Sequence, residues 1–245
     1  MKSAVASLEV VFTPGELGEA SLKGKAVVVI DVLRSATTIA KALACGAELV
    51  VPVATTEDVT RLASTLERKQ ILLCGERDSV RIEGYALGNS PSEYTAKAVR
   101  GKTLLFTSTN GTAAVARSEG AREIVLGSLV NRKALVDHLD RMGDWLFLCS
   151  GNRGRFALED ALCAGAIVSG LRERRPDLRA NDAAKSAEFL FHSAGEDLPR
   201  VLAGTEAGER LKSLGLEADV AFCSRIDTLP IVPIVKDGRI AKPAK

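Results

Sequence analysis

The sequence contains only two histidines, His138 and His192, and both lie in stretches with a helical pattern, LVDHLD and EFLFHSAG. A histidine phosphatase, a histidine-rich metal site and a Ser-His-Asp triad each need histidine beside the reacting group. Neither histidine lies in a loop with the character of a motif. We therefore expect none of these three chemistries.

The five cysteines, at positions 45, 74, 149, 163 and 223, are odd in number and include no C-x-x-C pair. This disfavours both a disulfide scaffold and structural zinc. No apolar run is long enough to cross a bilayer, and Glu9 interrupts the apolar stretch that a signal peptide would need. We expect a soluble protein of the reducing cytoplasm that does not bind membranes.

Excess charge and aromatic residues are also missing. The 33 basic and 31 acidic residues leave a net charge of +2, and only 4% of residues are aromatic. The chain therefore lacks both the basic footprint and the stacking platforms that nucleic-acid binding requires. We expect no nucleic-acid partner.

The 245 residues suffice for one large α/β domain, residues 1–245, or for two closely packed α/β halves. Short runs rich in Val, Ile and Leu, without alternation, are typical of central parallel strands. We predict strands over 26–30, 49–53, 70–73, 103–106, 124–126 and 145–148, and helices over 37–45, 57–67, 111–119, 129–141 and 157–174. Because strands and helices alternate, the fold class is α/β with a mainly parallel sheet. We also expect a homo-oligomer.

A weak internal repeat supports this assignment. Residues 24–53 and 101–126 each read as Gly-Lys, a strand, a polar loop, a helix, a Gly-Ala turn and a second strand, and a third copy begins at Trp145. Such units stacked in one sheet would place their loops along one edge, where ligands of α/β proteins bind. The tail from Pro230 is predicted to form an edge strand followed by a frayed end.

The first polar loop runs from Asp31 to Thr38, directly after the apolar strand VVVI. A carboxylate at a strand end can ligate Mg²⁺ or attack phosphorus, and Arg34 offers a planar fork of donors for phosphate. The alternative is a structural turn in which Asp31 pairs with Arg34 and Ser35 caps the helix.

The second polar loop is Ser108-Thr109-Asn110-Gly111-Thr112. Its glycine, hydroxyl and amide groups predict a backbone nest for an oxyanion. The same residues suit a plain helix cap, which uses the same geometry.

The third polar loop, Cys149 to Arg155, has the C-x₅-R frame of cysteine-dependent phosphatases. Since cysteine is among the most buried residues, an inert Cys149 is the favoured alternative to a nucleophile. Arg155 is the better candidate for a phosphate ligand. Glu159 and Asp160 follow at a helix start, where the helix dipole stabilises acidic side chains. The alternative is that they complete a magnesium site.

A fourth segment contains Gly75-Glu76-Arg77 and, further on, Gly88-Asn89-Ser90-Pro91. A capping box with proline at the first helical position accounts for Ser90 and Pro91. It does not account for Glu76, Arg77 and Asn89, which are candidates for ligand contacts.

These motifs together resemble the 2-phosphosulfolactate phosphatase family. The resemblance rests on five segments in order: Asp31-x-x-Arg34; Gly75-Glu76-Arg77; Glu83-Gly84-x-x-Leu87-Gly88-Asn89-Ser90-Pro91; Thr109-Asn110-Gly111-Thr112; and Gly154-Arg155-Phe156-x-Leu158-Glu159-Asp160 with Cys163-Ala164-Gly165. It covers the chain from about Val10 to Asp227. One departure is the stretch from Gly204 to Leu211, where members often carry histidine-glycine with a following arginine and this chain has no histidine.

The resemblance implies a three-layer α/β/α fold and Mg²⁺-dependent hydrolysis of 2-phosphosulfolactate to 3-sulfolactate and phosphate, a step of coenzyme M biosynthesis. The predicted site has three sets of residues: catalytic Asp31, Arg34 and Arg155; substrate-binding Arg77, Asn89, Ser90, Thr109, Asn110, Gly111, Thr112 and Gly154; and metal-binding Asp31, Glu76, Glu159 and Asp160. The attacking group is a metal-activated water, Asp31 or Cys149. The alternatives are a phosphatase of another small phosphorylated acid and a non-catalytic protein that binds phosphorylated metabolites.

Overall fold

Strands and helices alternate along most of the chain, as the apolar pattern predicts. The structure is a computed structural model that describes residues 6–18, 22–64, 70–141 and 143–243. Its strands are β1 Ser7–Val11, β2 Ala26–Ile30, β3 Leu49–Pro52, β4 Ile71–Arg77, β5 Val80–Arg81, β6 Thr103–Thr107, β7 Glu123–Gly127, β8 Trp145–Cys149, β9 Arg179–Ala180, β10 Ile234–Lys236 and β11 Arg239–Ala241. Its α-helices are α1 Ser35–Ala44, α2 Thr56–Ser64, α3 Ala96–Val99, α4 Gly111–Arg117, α5 Arg132–Leu139, α6 Leu158–Arg174, α7 Asp182–Ala194, α8 Leu198–Ala203, α9 Glu206–Ser213 and α10 Glu217–Cys223.

The predicted α/β class is confirmed, and each predicted strand overlaps an observed one. The helix predicted over 129–141 divides into a 3₁₀ turn, Leu129–Asn131, and α5. The end of the helix predicted over 57–67 lies outside the described residues. Whether residues 1–245 act as one domain or as two halves stays a prediction.

The strands form a single sheet of order β5-β4-β6-β3-β11-β10-β7-β2-β8-β1-β9. Strand β2 pairs in parallel with β7 and β8, and β6 pairs in parallel with β3 and β4. The hairpin of β10 and β11 joins these two parallel sets through antiparallel pairing on both sides. The sheet is therefore mainly parallel, as predicted, with one antiparallel hairpin between its two parallel sets.

The C-terminal hairpin corrects the predicted edge strand, because it lies in the middle of the sheet. Its turn, Asp237-Gly238, has positive φ angles of 51° and 70°. An Asp-Gly pair adopts this conformation readily, and it is a strong signal for a two-residue hairpin. Ile240 is fully buried between the two sets of strands, so this strand closes the sheet, while the end of the predicted frayed tail lies outside the described residues.

Apolar cores lie on both faces of the sheet. In β2 the side chains alternate: Val28 and Ile30 join the core that contains α6, whereas Val27 and Val29 join the core that contains α1. All five β2 residues are buried, and burial stabilises the fold by about 1.5–3 kcal/mol for each Val or Ile side chain. The end of β2 is consequently a rigid point from which the next loop projects. Within the described residues, no helix is both long and apolar enough to span a bilayer.

Candidate active site

A cavity of about 220 Å³ lies where the loops after β2, β4, β6 and β8 meet the start of α9. Its lining residues are Asp31, Leu33, Arg34, Ser35, Glu76, Asp78, Ser79, Asn89, Thr109, Asn110, Gly151, Asn152, Arg153, Arg155, Glu159, Glu206, Ala207 and Arg210. We call the buried side chains of Asp31, Arg34, Glu76 and Glu159 the floor. We call the exposed side chains of Asp78, Arg153, Arg155, Glu206 and Arg210 the rim.

Asp31 lies at the end of β2 and joins this strand to α1. The backbone N–H of Ser35, the first residue of α1, donates to Asp31 Oδ1 at 3.0 Å. Asp31 is only 7% exposed. Burial raises its pKa from 3.8 to about 6; the Ser35 hydrogen bonds oppose the rise, the Glu76 charge adds to it, and the Arg34 charge opposes it.

The loop after β6 packs directly against Asp31. A Cβ at Gly111 would lie 2.6 Å from Asp31 Oδ2 and 2.8 Å from Ser35 Cβ, so only glycine fits. Gly111 and Thr112 do not belong to the lining of the cavity. The backbone N–H of Thr112 donates instead to Ser108 Oγ at 3.2 Å, within its own loop.

Glu76 accepts from two backbone N–H groups, one of which belongs to the predicted oxyanion nest. The backbone N–H of Thr109 donates to Glu76 Oε1 at 2.7 Å, and that of Ser79 donates to Oε2 at 2.6 Å. One N–H group of the predicted nest is thus taken by a carboxylate of the protein. Both oxygens of Glu76 hold the loops around the cavity, and its expected role as a metal ligand stays a prediction.

Asp160 lies in the first turn of α6, as predicted, but backbone N–H groups of two other loops donate to its carboxylate. It accepts from the backbone N–H groups of Val32 at 2.9 Å and Gly151 at 3.1 Å, and it does not line the cavity. It therefore ties the loop after β2 to the loop after β8. Burial raises the pKa of Asp160 well above its usual range, and the charges of Asp31 and Glu159 add to the rise.

Glu159 begins the first turn of α6 and does line the cavity. Burial raises its pKa, and the charges of Asp31 and Glu206 act in the same direction. Among the described residues, no cluster of three or more His, Cys, Asp or Glu side chains is arranged to hold a metal ion. Asp31 and Glu159 both line the cavity, and carboxylates are ligands that Mg²⁺ commonly uses, one or two of them together with waters and substrate oxygens.

Arg34 does not pair with Asp31, which rules out the structural turn considered above. Its Nη1 donates to Asp219 Oδ2 at 2.7 Å, and its Nη2 donates to the carbonyl oxygen of Ser79 at 2.8 Å. Both side chains of the Arg34–Asp219 pair are only 3% exposed. The guanidinium is thus a fixed cation in the floor of the cavity.

The rim contains three arginines. Arg155 pairs with Glu206 at 3.3 Å, Arg153 pairs with the Asp78 carboxylate, and Arg210 donates to the Asp78 carbonyl oxygen at 3.2 Å. Arg155 was a predicted site residue and does line the cavity. Arg153 and Arg210 also line it, but the sequence analysis did not identify them. Arg210 belongs to the stretch 204–211 that lacks the family's histidine.

Several predicted residues lie elsewhere. Arg77 donates to the carbonyl oxygen of Ala54 and to Thr107 Oγ1, and Ser90 donates to Asp219 Oδ1. Neither of these residues, nor Gly154, is part of the cavity lining, whereas Asn89 and the pair Thr109 and Asn110 are. Asn89 Nδ2 donates to Ser35 Oγ at 3.3 Å.

Cys149 lies at the end of β8, fully buried. Burial raises the pKa of its thiol well above the usual range, and the charge of Asp160 adds to the rise. A thiolate at this position is therefore disfavoured, and the cysteine has no access to the cavity. The expectation of an inert Cys149 fits this environment, and the cysteine nucleophile does not.

The chain is similar to known proteins over most of its length. The family model of 2-phosphosulpholactate phosphatase matches residues 11–238. A probable 2-phosphosulfolactate phosphatase of Caldanaerobacter subterraneus subsp. tengcongensis is 38% identical over 227 residues, which cover 92% of this chain and 94% of that protein. Proteins with the same name are 40% identical in Symbiobacterium thermophilum (89% and 94% covered) and 41% identical in Thermotoga maritima (86% and 89% covered).

Proposed function

The chain belongs to the 2-phosphosulpholactate phosphatase family and is a phosphoric monoester hydrolase, and we propose that it hydrolyses 2-phosphosulfolactate to 3-sulfolactate and phosphate with the help of Mg²⁺. The observation that carries the proposal is the cavity, in which the buried Arg34 and the buried acids Asp31 and Glu159 face the same space as three rim arginines. This charge pattern suits a small ligand with several anionic groups.

The floor acids support the magnesium part of the proposal. A dianionic phosphoryl group cannot approach the carboxylates of Asp31 and Glu159 without a cation between them. Oxygen ligands are those that Mg²⁺ prefers, so Asp31 and Glu159 would hold the ion. When bound, the ion supplies charge neutralisation at the phosphoryl oxygens.

Arg34 supplies the second positive charge. Its named hydrogen bonds to Asp219 and Ser79 use two N–H groups, and a guanidinium has five. The other donors are available to phosphoryl oxygens in the cavity that Arg34 lines. Because the donors are fixed before the substrate arrives, they stabilise developing charge without reorganisation.

The rim arginines suit the acidic tail of the substrate. Arg153, Arg155 and Arg210 are exposed, and their present acceptors are oxygens of Asp78 and Glu206. Exposed pairs of this kind contribute only about 0–1 kcal/mol, so a sulfonate or carboxylate can replace them at little cost. The attacking group is a water molecule or Asp31; an acyl phosphate trapped on Asp31 would identify the latter.

The substrate is tested by phosphate release from 2-phosphosulfolactate and from 2-phospholactate, which lacks the sulfonate. We expect release from both and a higher KM for 2-phospholactate. Equal kcat/KM values would favour a phosphatase of another small phosphorylated acid. Calorimetric binding of 2-phosphosulfolactate without phosphate release would favour a binding protein.

The remaining expectations belong to the same proposal. They are a three-layer α/β/α arrangement, a cytoplasmic homo-oligomer without a nucleic-acid partner, and a place in coenzyme M biosynthesis. The apolar cores on both faces of β2 support the first. Sedimentation of the purified protein tests the oligomeric state.

A further inference from the structure

The Arg34 side chain lines the cavity and also contacts the buried carboxylate of Asp219. Its guanidinium lies between the cavity and Asp219, a residue of α10 that is 2% exposed. Asp219 itself is not part of the cavity lining. The carboxylate therefore acts from behind the guanidinium and does not compete for the ligand.

Asp219 is in turn held by a second contact. Ser90 Oγ lies 2.5 Å from Asp219 Oδ1, and Ser92 Oγ lies 2.7 Å from Ser90 Oγ. Since an ionised carboxylate only accepts, Ser90 donates to Asp219 and Ser92 donates to Ser90. The two oxygens of Asp219 are thus fixed by different partners, Arg34 on one and Ser90 on the other.

This arrangement sets the plane of the guanidinium. Asp219 Oδ2 fixes Nη1 and the Ser79 carbonyl oxygen fixes Nη2, so rotation about the last bonds of the side chain would break one of them. A planar fork binds phosphoryl oxygens only in the correct orientation. A single acceptor would leave the fork free to swing.

We propose that Asp219, oriented by Ser90, is a positioning residue that aims Arg34 at the phosphoryl group in the cavity. The proposal rests on the proposed function, because it requires that Arg34 binds phosphate. It gives Ser90 a role one contact further from the ligand than the direct substrate contact expected from the sequence.

A double-mutant cycle tests the proposal. Asp219→Asn places an amide against the guanidinium, and we expect kcat/KM and the calorimetric affinity for inorganic phosphate each to fall by about tenfold to a hundredfold, as for a misplaced catalytic group. In the Arg34→Met background the same substitution should have no further effect, since Asp219 acts only through Arg34. Losses that multiply in the double variant would overturn the proposal.

Asp227→Asn is the matched control. Asp227 pairs with Arg132 at 2.6 Å, away from the cavity, and its φ of 58° suits asparagine as well as aspartate. This variant should keep both kcat/KM and phosphate affinity. If the folded Asp219→Asn protein keeps normal kcat/KM and phosphate affinity, as the control does, and only its melting temperature is lower, the role of Asp219 is only structural.

Ser90→Ala keeps the test decisive if Asp219→Asn fails to fold, because it leaves the buried ion pair intact. We expect a smaller loss of phosphate affinity that again disappears in the Arg34→Met background. Normal phosphate affinity in folded Ser90→Ala and Asp219→Asn proteins would refute the positioning role. Phosphate affinity also separates the positioning role of Asp219 from the proposed substrate. If Asp219 and Arg34 are coupled in phosphate affinity but the protein does not hydrolyse 2-phosphosulfolactate, the positioning role stands and the proposed substrate is wrong.

Discussion

The floor and the rim of the cavity hold ion pairs of opposite kinds. The floor residue Arg34 pairs with Asp219 behind it, and both side chains are 3% exposed, whereas the rim residues Arg155 and Glu206 are 70% and 72% exposed. Removing one partner of a buried pair costs about 3–5 kcal/mol, but an exposed pair contributes only about 0–1 kcal/mol. The floor groups are therefore locked before the ligand binds, and the rim groups can exchange partners.

This difference divides the work of the site. Groups that stabilise a transition state must be fixed in place, which the floor provides. Groups that capture a flexible anionic tail need reach and ready exchange, which the rim provides. Substitutions in the floor should accordingly change kcat, and substitutions in the rim should change KM.

The largest effect should come from Asp31→Asn in the floor. Loss of the carboxylate should lower kcat/KM by about a hundredfold or more. Stability should change in the opposite direction: the folded pKa of about 6 exceeds the ordinary 3.8, so the free energy of unfolding falls as pH rises through this interval. Asparagine does not ionise, so the variant does not lose stability in this way. Relative to the unsubstituted protein, its free energy of unfolding should be higher by up to about 3 kcal/mol above pH 6 and unchanged below pH 4.

Melting temperatures and kcat/KM measured on the same preparations check this prediction. Asp182→Asn, at a side chain that is 97% exposed, controls for the loss of one negative charge. Near-normal catalysis by Asp31→Asn would remove Asp31 from the reaction. A lower stability of Asp31→Asn at pH 7 would contradict the raised pKa of the buried Asp31 carboxylate.

The pH dependence of kcat/KM should show the same group. Since Asp31 must be ionised to act and its pKa is raised to about 6, kcat/KM at low magnesium should fall about tenfold per pH unit below about 6. Higher magnesium concentrations should move this limb to lower pH, because a cation favours the carboxylate. If kcat/KM does not change between pH 5 and 8, catalysis does not depend on the ionisation of Asp31.

Arg155→Ala tests the rim. Because Arg155 is exposed, we expect an unchanged melting temperature, an unchanged kcat and a KM about twofold to fivefold higher. The salt dependence of kcat/KM should weaken as well. Arg200→Ala, at another exposed arginine paired with a nearby aspartate, should change neither quantity. A loss confined to kcat would place Arg155 with the floor.

The smallest effect is expected at the third loop's cysteine. Cys149→Ala should keep kcat/KM within about twofold, like the control Cys163→Ala at another fully buried thiol. Both variants should lose some stability because each leaves a small cavity. Inactivity of Cys149→Ala alone, with a phosphorylated Cys149 found by mass spectrometry in the unsubstituted protein, would restore the cysteine mechanism.

The sequence was informative where the cause is local. An apolar strand followed by Asp31 predicts a rigid strand end with a carboxylate, and the structure has one there. The burial of Cys149 follows from its place at the end of the apolar strand WLFLC. The Asp237-Gly238 hairpin was also readable from its turn residues, but its place in the middle of the sheet depends on strands far away in the sequence.

The sequence was uninformative where partners are distant. Asp219 lies 185 positions from Arg34, and no local pattern links the two. Glu76 looked like a metal ligand, yet the backbone N–H groups of Ser79, three positions away, and of Thr109, 33 positions away, both donate to it. Long-range pairing decides which polar residues face a ligand and which hold loops together.

The most direct test of the account is phosphate release from 2-phosphosulfolactate by protein stripped with EDTA and then titrated with Mg²⁺. We expect no release in excess EDTA, because the floor acids would then repel the phosphoryl group, and a saturable recovery as Mg²⁺ is added. Undiminished release in excess EDTA would contradict the central claim that the floor acids act through a bound magnesium ion.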